Sequence, residues 1–160
     1  GATLVVWTLL DAVRTGRPTA VGAATAIVVG LVAITPASGF VSPMSAIAIG
    51  AIAGVACYFV INWRANSGLD DSLDVVAAHG VGGMIGALLT GVFAIDGGNV
   101  GVQAIAVLST AIYCGVVTFV LLKLIGLVMP LRSSDESTGM DIGQHSEEAY
   151  LKLAGSGPGN

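Results

Sequence analysis

The stretch from Asp70 to Phe93, DDSLDVVAAHGVGGMIGALLTGVF, places three carboxylates in its first five residues and then turns almost wholly apolar. The one ionisable side chain in the apolar part is His79. A run of this length and greasiness predicts a helix that crosses a bilayer, for which about 20 apolar residues are needed. The carboxylates mark its start, where free backbone N–H groups and the positive end of the helix dipole favour negative charge. Asp71 and Asp74 stand three apart, so Asp71 is expected to cap the first turn and Asp74 to reach back in a capping box. Asp70 is expected in solvent.

The whole 160-residue chain has the same character. It is 54% hydrophobic and 10% charged, with a mean hydropathy of +0.88. Soluble domains carry about 25% charged residues, so a soluble fold is excluded. The net charge of −4 is spread over connections and a tail and forms no nucleic-acid footprint. The 23 glycines follow no period, which excludes collagen-like repeats. High glycine with high alanine suits packed membrane helices, whose backbones approach closely through small residues. Gly50 and Gly54, and Gly82 and Gly86, are small-xxx-small pairs of that kind. Cys57 and Cys114 lie in apolar runs and are expected to be small buried thiols. No Cys/His cluster points to a metal, and no cofactor is expected.

Five apolar stretches emerge, at about 1–12, 20–35, 43–63, 71–95 and 101–129, forming a transmembrane domain over 1–130. The fold class is therefore an all-α polytopic helix bundle. The first stretch has no basic leader and no cleavage pattern, so it is not a signal peptide; it is expected to be the end of a span begun before Gly1. Arg14, Arg17, Arg64, Arg132 and Lys152, with Lys123 near the end of the last span, all fall on one side of this layout. The connections TPASGFVSP and IDGGNVG on the other side hold no Lys or Arg. The positive-inside rule makes the basic side cytoplasmic. Residues 131–160 read as a polar cytoplasmic tail, with a short helix possible over HSEEAYLKLA and disorder expected over GSGPGN. Trp7, Tyr58 and Trp63 are expected as interfacial anchors.

His79 lies eight residues past Asp71, about 12 Å of helical rise. An ionisable group at that depth usually faces a bundle interior or a polar pathway, and burial favours the neutral ring. The residues alone leave three readings open: a histidine satisfied by a neighbouring helix, a pathway base, and a haem ligand, the last weakened by the lack of a second intramembrane histidine. Thr35 precedes Pro36, which ends its helix; a cap or turn role competes with a pathway role. His145 is expected to be exposed.

GLVAITPASGFVSP, then the quoted stretch continued to Ala94, then GMDIGQHSEEAY in the tail, resemble in order and spacing the ammonium transporter (Amt/Mep/Rh) family on its bacterial side. The pattern DxxxDVxxxHGxGGxxGxxxTGxFA is specific when carried on a membrane helix. The resemblance covers essentially the whole chain but only the seventh to eleventh spans of the family's eleven, plus the tail. It implies a homotrimer in a bacterial inner membrane. Each protomer would hold an apolar pore, for ammonium or ammonia, between inverted five-helix halves. His79 resembles the second of the family's mid-pore histidine pair, Thr35 a pore-lining threonine, and Asp74 a carboxylate that supports the pore, with Asp71 beside it. The tail, with Asp141, His145 and Tyr150, resembles a regulatory segment that docks PII-type signalling proteins. The first histidine, the phenylalanine gate and the aromatic recruitment site belong to spans not present here. An ammonium sensor coupled to a signalling partner is the alternative. An enzyme is not expected, since no serine elbow accompanies His79.

Overall fold

The computed structural model describes residues 1–132 and His145. Asp141 and Tyr150 lie outside the described residues, and His145 is exposed. The chain divides into two compact units, 1–111 and 112–160. Helices α1 (Ala2–Thr15), α2 (Ala20–Ile34) and α3 (Pro43–Ala65), a π-helical segment (Val76–Val81) and α4 (Gly82–Phe93) belong to the first unit. Helix α5 (Val100–Gly126) begins in it. No β-strand occurs among the described residues; an isolated antiparallel bridge joins Val41 to Ala94. Four helical stretches, Ala20–Ala37, Pro43–Ala65, Val76–Phe93 and Val100–Gly126, are long and apolar enough to cross a membrane.

Local chemistry sets the ends of these helices. Gly16 adopts φ 75°, which ends α1, and donates its N–H to the Ala12 carbonyl. Thr19 caps α2 by accepting from Gly22 N at 2.9 Å. Ser42 caps α3 by accepting from Ser45 N at 3.2 Å, with Pro43 in the first turn, where its missing N–H costs nothing. A 3-10 turn, Thr35–Ala37, containing Pro36, follows α2. The Phe40 carbonyl then accepts from Ile95 N at 2.9 Å, tying this turn to the end of α4.

The core of the first unit is built from small side chains. Ala26, Val29, Ala33, Ile49, Ala53 and Cys57 are fully buried. Thr3 of α1 seats in a hole made by glycines on two other helices: a Cβ placed on Gly30 would lie 2.6 Å from its hydroxyl, one on Gly50 3.1 Å away, and one on Gly54 3.1 Å from its methyl. The Thr3 hydroxyl donates to the Gly50 carbonyl at 2.9 Å. Gly86 brings α4 onto the Ala33 backbone of α2, and Gly91 meets Val100 Cα, 2.8 Å from where a Cβ would stand. Both small-xxx-small pairs thus make close helix contacts.

Three expectations are corrected. Trp7 and Tyr58 are not interfacial anchors. Only 4% and 3% exposed, they pack edge to face at 5.1 Å, because Trp7 shares the inward stripe of α1 with Thr3 and Asp11. Trp63 is exposed. Cys57 is buried, but Cys114 is exposed, because α5 buries none of its residues. The quoted helix starts at Val75, not at Asp71.

Backbone contact at Gly86 makes a sharp prediction. Gly86→Ala forces α4 off α2 and is expected to cost about 1–3 kcal/mol in chemical unfolding of the detergent-solubilised protein. Gly115→Ala, on α5 with nothing within 4 Å of its Cβ position, is expected to be neutral or slightly stabilising.

Candidate functional site

The region before His79 is organised by two carboxylates with different tasks. Asp71 sits outside the helix. Its two oxygens accept from Val75 N at 2.9 Å and Val76 N at 2.8 Å, two of the donors that a helix start leaves without partners. Asp74 does not reach back, so the capping-box reading is corrected. Its backbone takes φ 55°, a left-handed conformation that Asp tolerates better than most residues. Its side chain turns instead to Arg64, in the last turn of α3, and accepts from Nε at 2.9 Å and from Nη2. Both partners of this ion pair are about four-fifths buried, at 19% and 23% exposure. The Asp74 carbonyl accepts from Ala78 N at 2.8 Å. Asp70 is exposed.

The helix that leaves this start is π-wound over Val76–Val81, and His79 lies within the π segment. Sequence reasoning missed this feature, because nothing in residue spacing separates an i+5 from an i+4 ladder. With the helix starting at Val75, His79 is about 6 Å of rise inside it at the α-helical rate, not the 12 Å counted from Asp71. Ala77 and Ala78 are buried against the unit, whereas His79 and Gly80 are exposed. The expected burial of the ring is therefore not met within this chain. The two alanines take the inward positions, and the imidazole stands on the outer surface with no side-chain hydrogen bond among the described residues.

Thr35 is also exposed. Its hydroxyl donates to the Leu31 carbonyl at 2.7 Å, the back-bond typical of threonine on a helix. Its proton is committed, so the oxygen can face outward only as an acceptor. The structure thus gathers Asp71 and Asp74 with Arg64 at the start of the helix that carries His79, and leaves Thr35 at the far end of α2.

A second polar cluster was not anticipated. Asp11 is a nearly buried carboxylate, 8% exposed, in contact with the Tyr58 hydroxyl, which also meets Asn62. Asp11, Asn62, Thr15, Thr19, Trp7 and Asp74 contribute to the lining of a cleft of about 210 Å³. Gly22 makes room there, since a Cβ would stand 2.8 Å from Asp11 Oδ2 and 3.1 Å from Trp7 Nε1. The signal lay in the spacing of Thr3, Trp7, Asp11 and Thr15, one turn apart along a helix. It was hidden because Asp11 stood at the edge of the 1–12 stretch, against the basic connection that follows. Arg14, read as part of that connection, ends α1 with its guanidinium 5.7 Å from the Tyr58 ring and 5.4 Å from that of Phe59.

Comparison with known proteins bears on the chain as a whole. The family model described as the Ammonium Transporter Family matches residues 1–150. An ammonium transporter of Bacillus subtilis is 37% identical over 90% of this chain and 40% of its own length. One of Aquifex aeolicus is 41% identical over 91% of this chain and 38% of its own length. Among solved structures, Saccharomyces cerevisiae Mep2 superposes with a TM-score of 0.75 at 35% identity, covering 84% of this chain and 35% of that one. A structure titled Sensor Amt Protein reaches 0.80 at 29% identity, covering 89% and 38%. The chain spans about two fifths of the length of the curated relatives it matches, and these are named as transporters, not enzymes. On sequence over nearly its whole length and on helix arrangement alike, the chain belongs to the ammonium transporter family.

Proposed function

We propose that these helices form one part of a membrane pathway that conducts ammonium as its neutral conjugate base, with His79 as one member of a proton relay. The observation that carries the reading is an imidazole exposed on the surface of an apolar helix bundle, next in sequence to the exposed Gly80. Ammonium and potassium are close in size, so a sieve separates them poorly. A full charge on an apolar path costs at least about 2.5 kcal/mol. Ammonium can leave its proton with a neutral ring nitrogen and potassium has none to leave, so a base on the path discriminates by chemistry. A neutral imidazole offers one acceptor and one donor, which lets it take a proton on one side and pass one on the other. Residues outside this chain would close the pathway over His79.

In this reading Thr35 offers its oxygen as an acceptor to the entering ammonium, while Asp71 and Asp74 hold the start of the His79 helix. The membrane domain spans 1–130 in a bacterial inner membrane, within a homotrimer. The tail, 131–160, is cytoplasmic, on the side of the six basic residues. Asp141, His145 and Tyr150 on it form the contact for a PII-type partner. The second reading, an ammonium sensor coupled to a signalling partner, draws on the likeness to the Sensor Amt Protein.

Ion flux through the full-length protein in proteoliposomes tests this. His79→Ala is expected to abolish ammonium-evoked, proton-coupled current or to admit potassium; wild-type current with wild-type selectivity would remove His79 from the pathway. Saturable ammonium binding with no current in the unmutated protein would favour the sensor. Thr35→Val, which deletes the acceptor, is expected to lower ammonium flux about tenfold, the equivalent of one lost hydrogen bond of about 1.4 kcal/mol, while Thr35→Ser stays near wild type.

A further inference from the structure

Arg64 is drawn into the fold by a contact that its place in the sequence does not announce. It ends α3, ten residues before Asp74, and could have pointed to solvent like Arg17. Instead its guanidinium holds the carboxylate of the one non-glycine residue with positive φ among the described residues. That residue is the last before the helix carrying His79. Its carbonyl accepts from Ala78 N in an i+4 bond, and the Asp71 carboxylate takes two earlier donors, Val75 N and Val76 N. The segment so started is wound as a π-helix. A π turn accommodates one residue more than an α turn, which rotates what lies beyond it by about 100° relative to an α register.

We propose that Arg64 is the positioning residue for His79: by clamping Asp74 in its left-handed conformation it sets the π register that presents the imidazole on the outer face, with Ala77 and Ala78 turned inward. This rests on the reading of His79 as a pathway base. Arg64 touches neither the path nor the permeant species; it acts through the backbone of 74–79. Without the clamp, Asp74 relaxes toward an ordinary negative φ, the entry into the π segment shifts, and the ring swings away from its outward direction. The Asp71 side chain alone does not prevent this, because its bonds go to Val75 and Val76; Asp71 holds the Asp74 backbone only through its carbonyl, which accepts from Asp74 N at 3.2 Å. Asp11, the other partly enclosed carboxylate in the neighbouring cleft, is engaged with Tyr58 and does not compete for the guanidinium.

The test is a double-mutant cycle in the full-length protein in proteoliposomes, with flux normalised to folded protein recovered by size-exclusion chromatography. Arg64→Ala is expected to lower the maximal ammonium flux at least tenfold, the scale of a misplaced reacting group, with half-saturation little changed and the ammonium-to-potassium ratio reduced. Arg64→Lys keeps the charge and guards against loss of the fold; it is expected to recover most of the flux and the ratio. Arg64→Ala on the His79→Ala background is expected to leave the residual ammonium flux and the potassium admission of His79→Ala unchanged, because a residue that acts through the ring has no effect once the ring is gone. In addition, the ring ¹⁵N signals of His79 are expected to move in Arg64→Ala. Wild-type flux and selectivity in Arg64→Ala, or an additive loss on the His79→Ala background, would overturn the proposal. An unaffected His79→Ala would instead overturn the pathway reading beneath it.

Discussion

Close backbone approach is the constraint on which this bundle depends. Lipid tails are as apolar as the side chains they would touch, so helices in a membrane gain little by hiding leucines from their surroundings. What remains is dispersion between surfaces that fit, and interhelical hydrogen bonds. The first unit uses both at one spot. Thr3 enters a hole whose walls are Gly30, Gly50 and Gly54, and its hydroxyl closes on the Gly50 carbonyl. Gly86 on Ala33 and Gly91 on Val100 repeat the arrangement without the hydroxyl. The buried core follows from the same constraint. It is largely alanine, with few large side chains, while leucines, isoleucines and valines cover the outside, the reverse of a water-soluble domain.

Much of this was legible in the residues. Apolar runs and their breaks marked the helices, since Pro36 and Pro43 act locally. Gly50/Gly54 and Gly82/Gly86 announced close contacts because spacing alone puts each pair on one face. Other features depended on partners far along the chain. Trp7 near a helix end looks like an interfacial ring until Tyr58 is known to pack against it. Asp11 looks like the polar edge of a span until α1 is seen to continue to Thr15. The capping box failed for a similar reason: Asp71 and Asp74 have the right spacing, but Arg64 offered Asp74 a charged partner that no helix N-terminus matches. The π winding at His79 is a ladder choice between nearly equal alternatives, decided by how the chain enters the helix and not by the residues inside it.

The two residues singled out for a pathway, His79 and Thr35, are both on the outside of the unit, and this joins the chain's size to its chemistry. A bare imidazole on a lipid-facing wall would be a poorly solvated polar group with nothing to do, which membrane proteins rarely retain. The same ring facing a second wall of protein would line a narrow space between the two. The chain corresponds to about two fifths of its relatives' length, so a second wall is what its relatives have room to supply. In the pathway reading proposed above, the surface that carries His79 would be turned toward such a second wall, which would account for its exposure here. The alanines at 77 and 78 then have a definite purpose. They let the π segment lie flat against α2 and α3, leaving His79 and Gly80 as the relief on the open side. A larger residue at either inward position would lift the segment and tilt the ring, even though it touched nothing on the path.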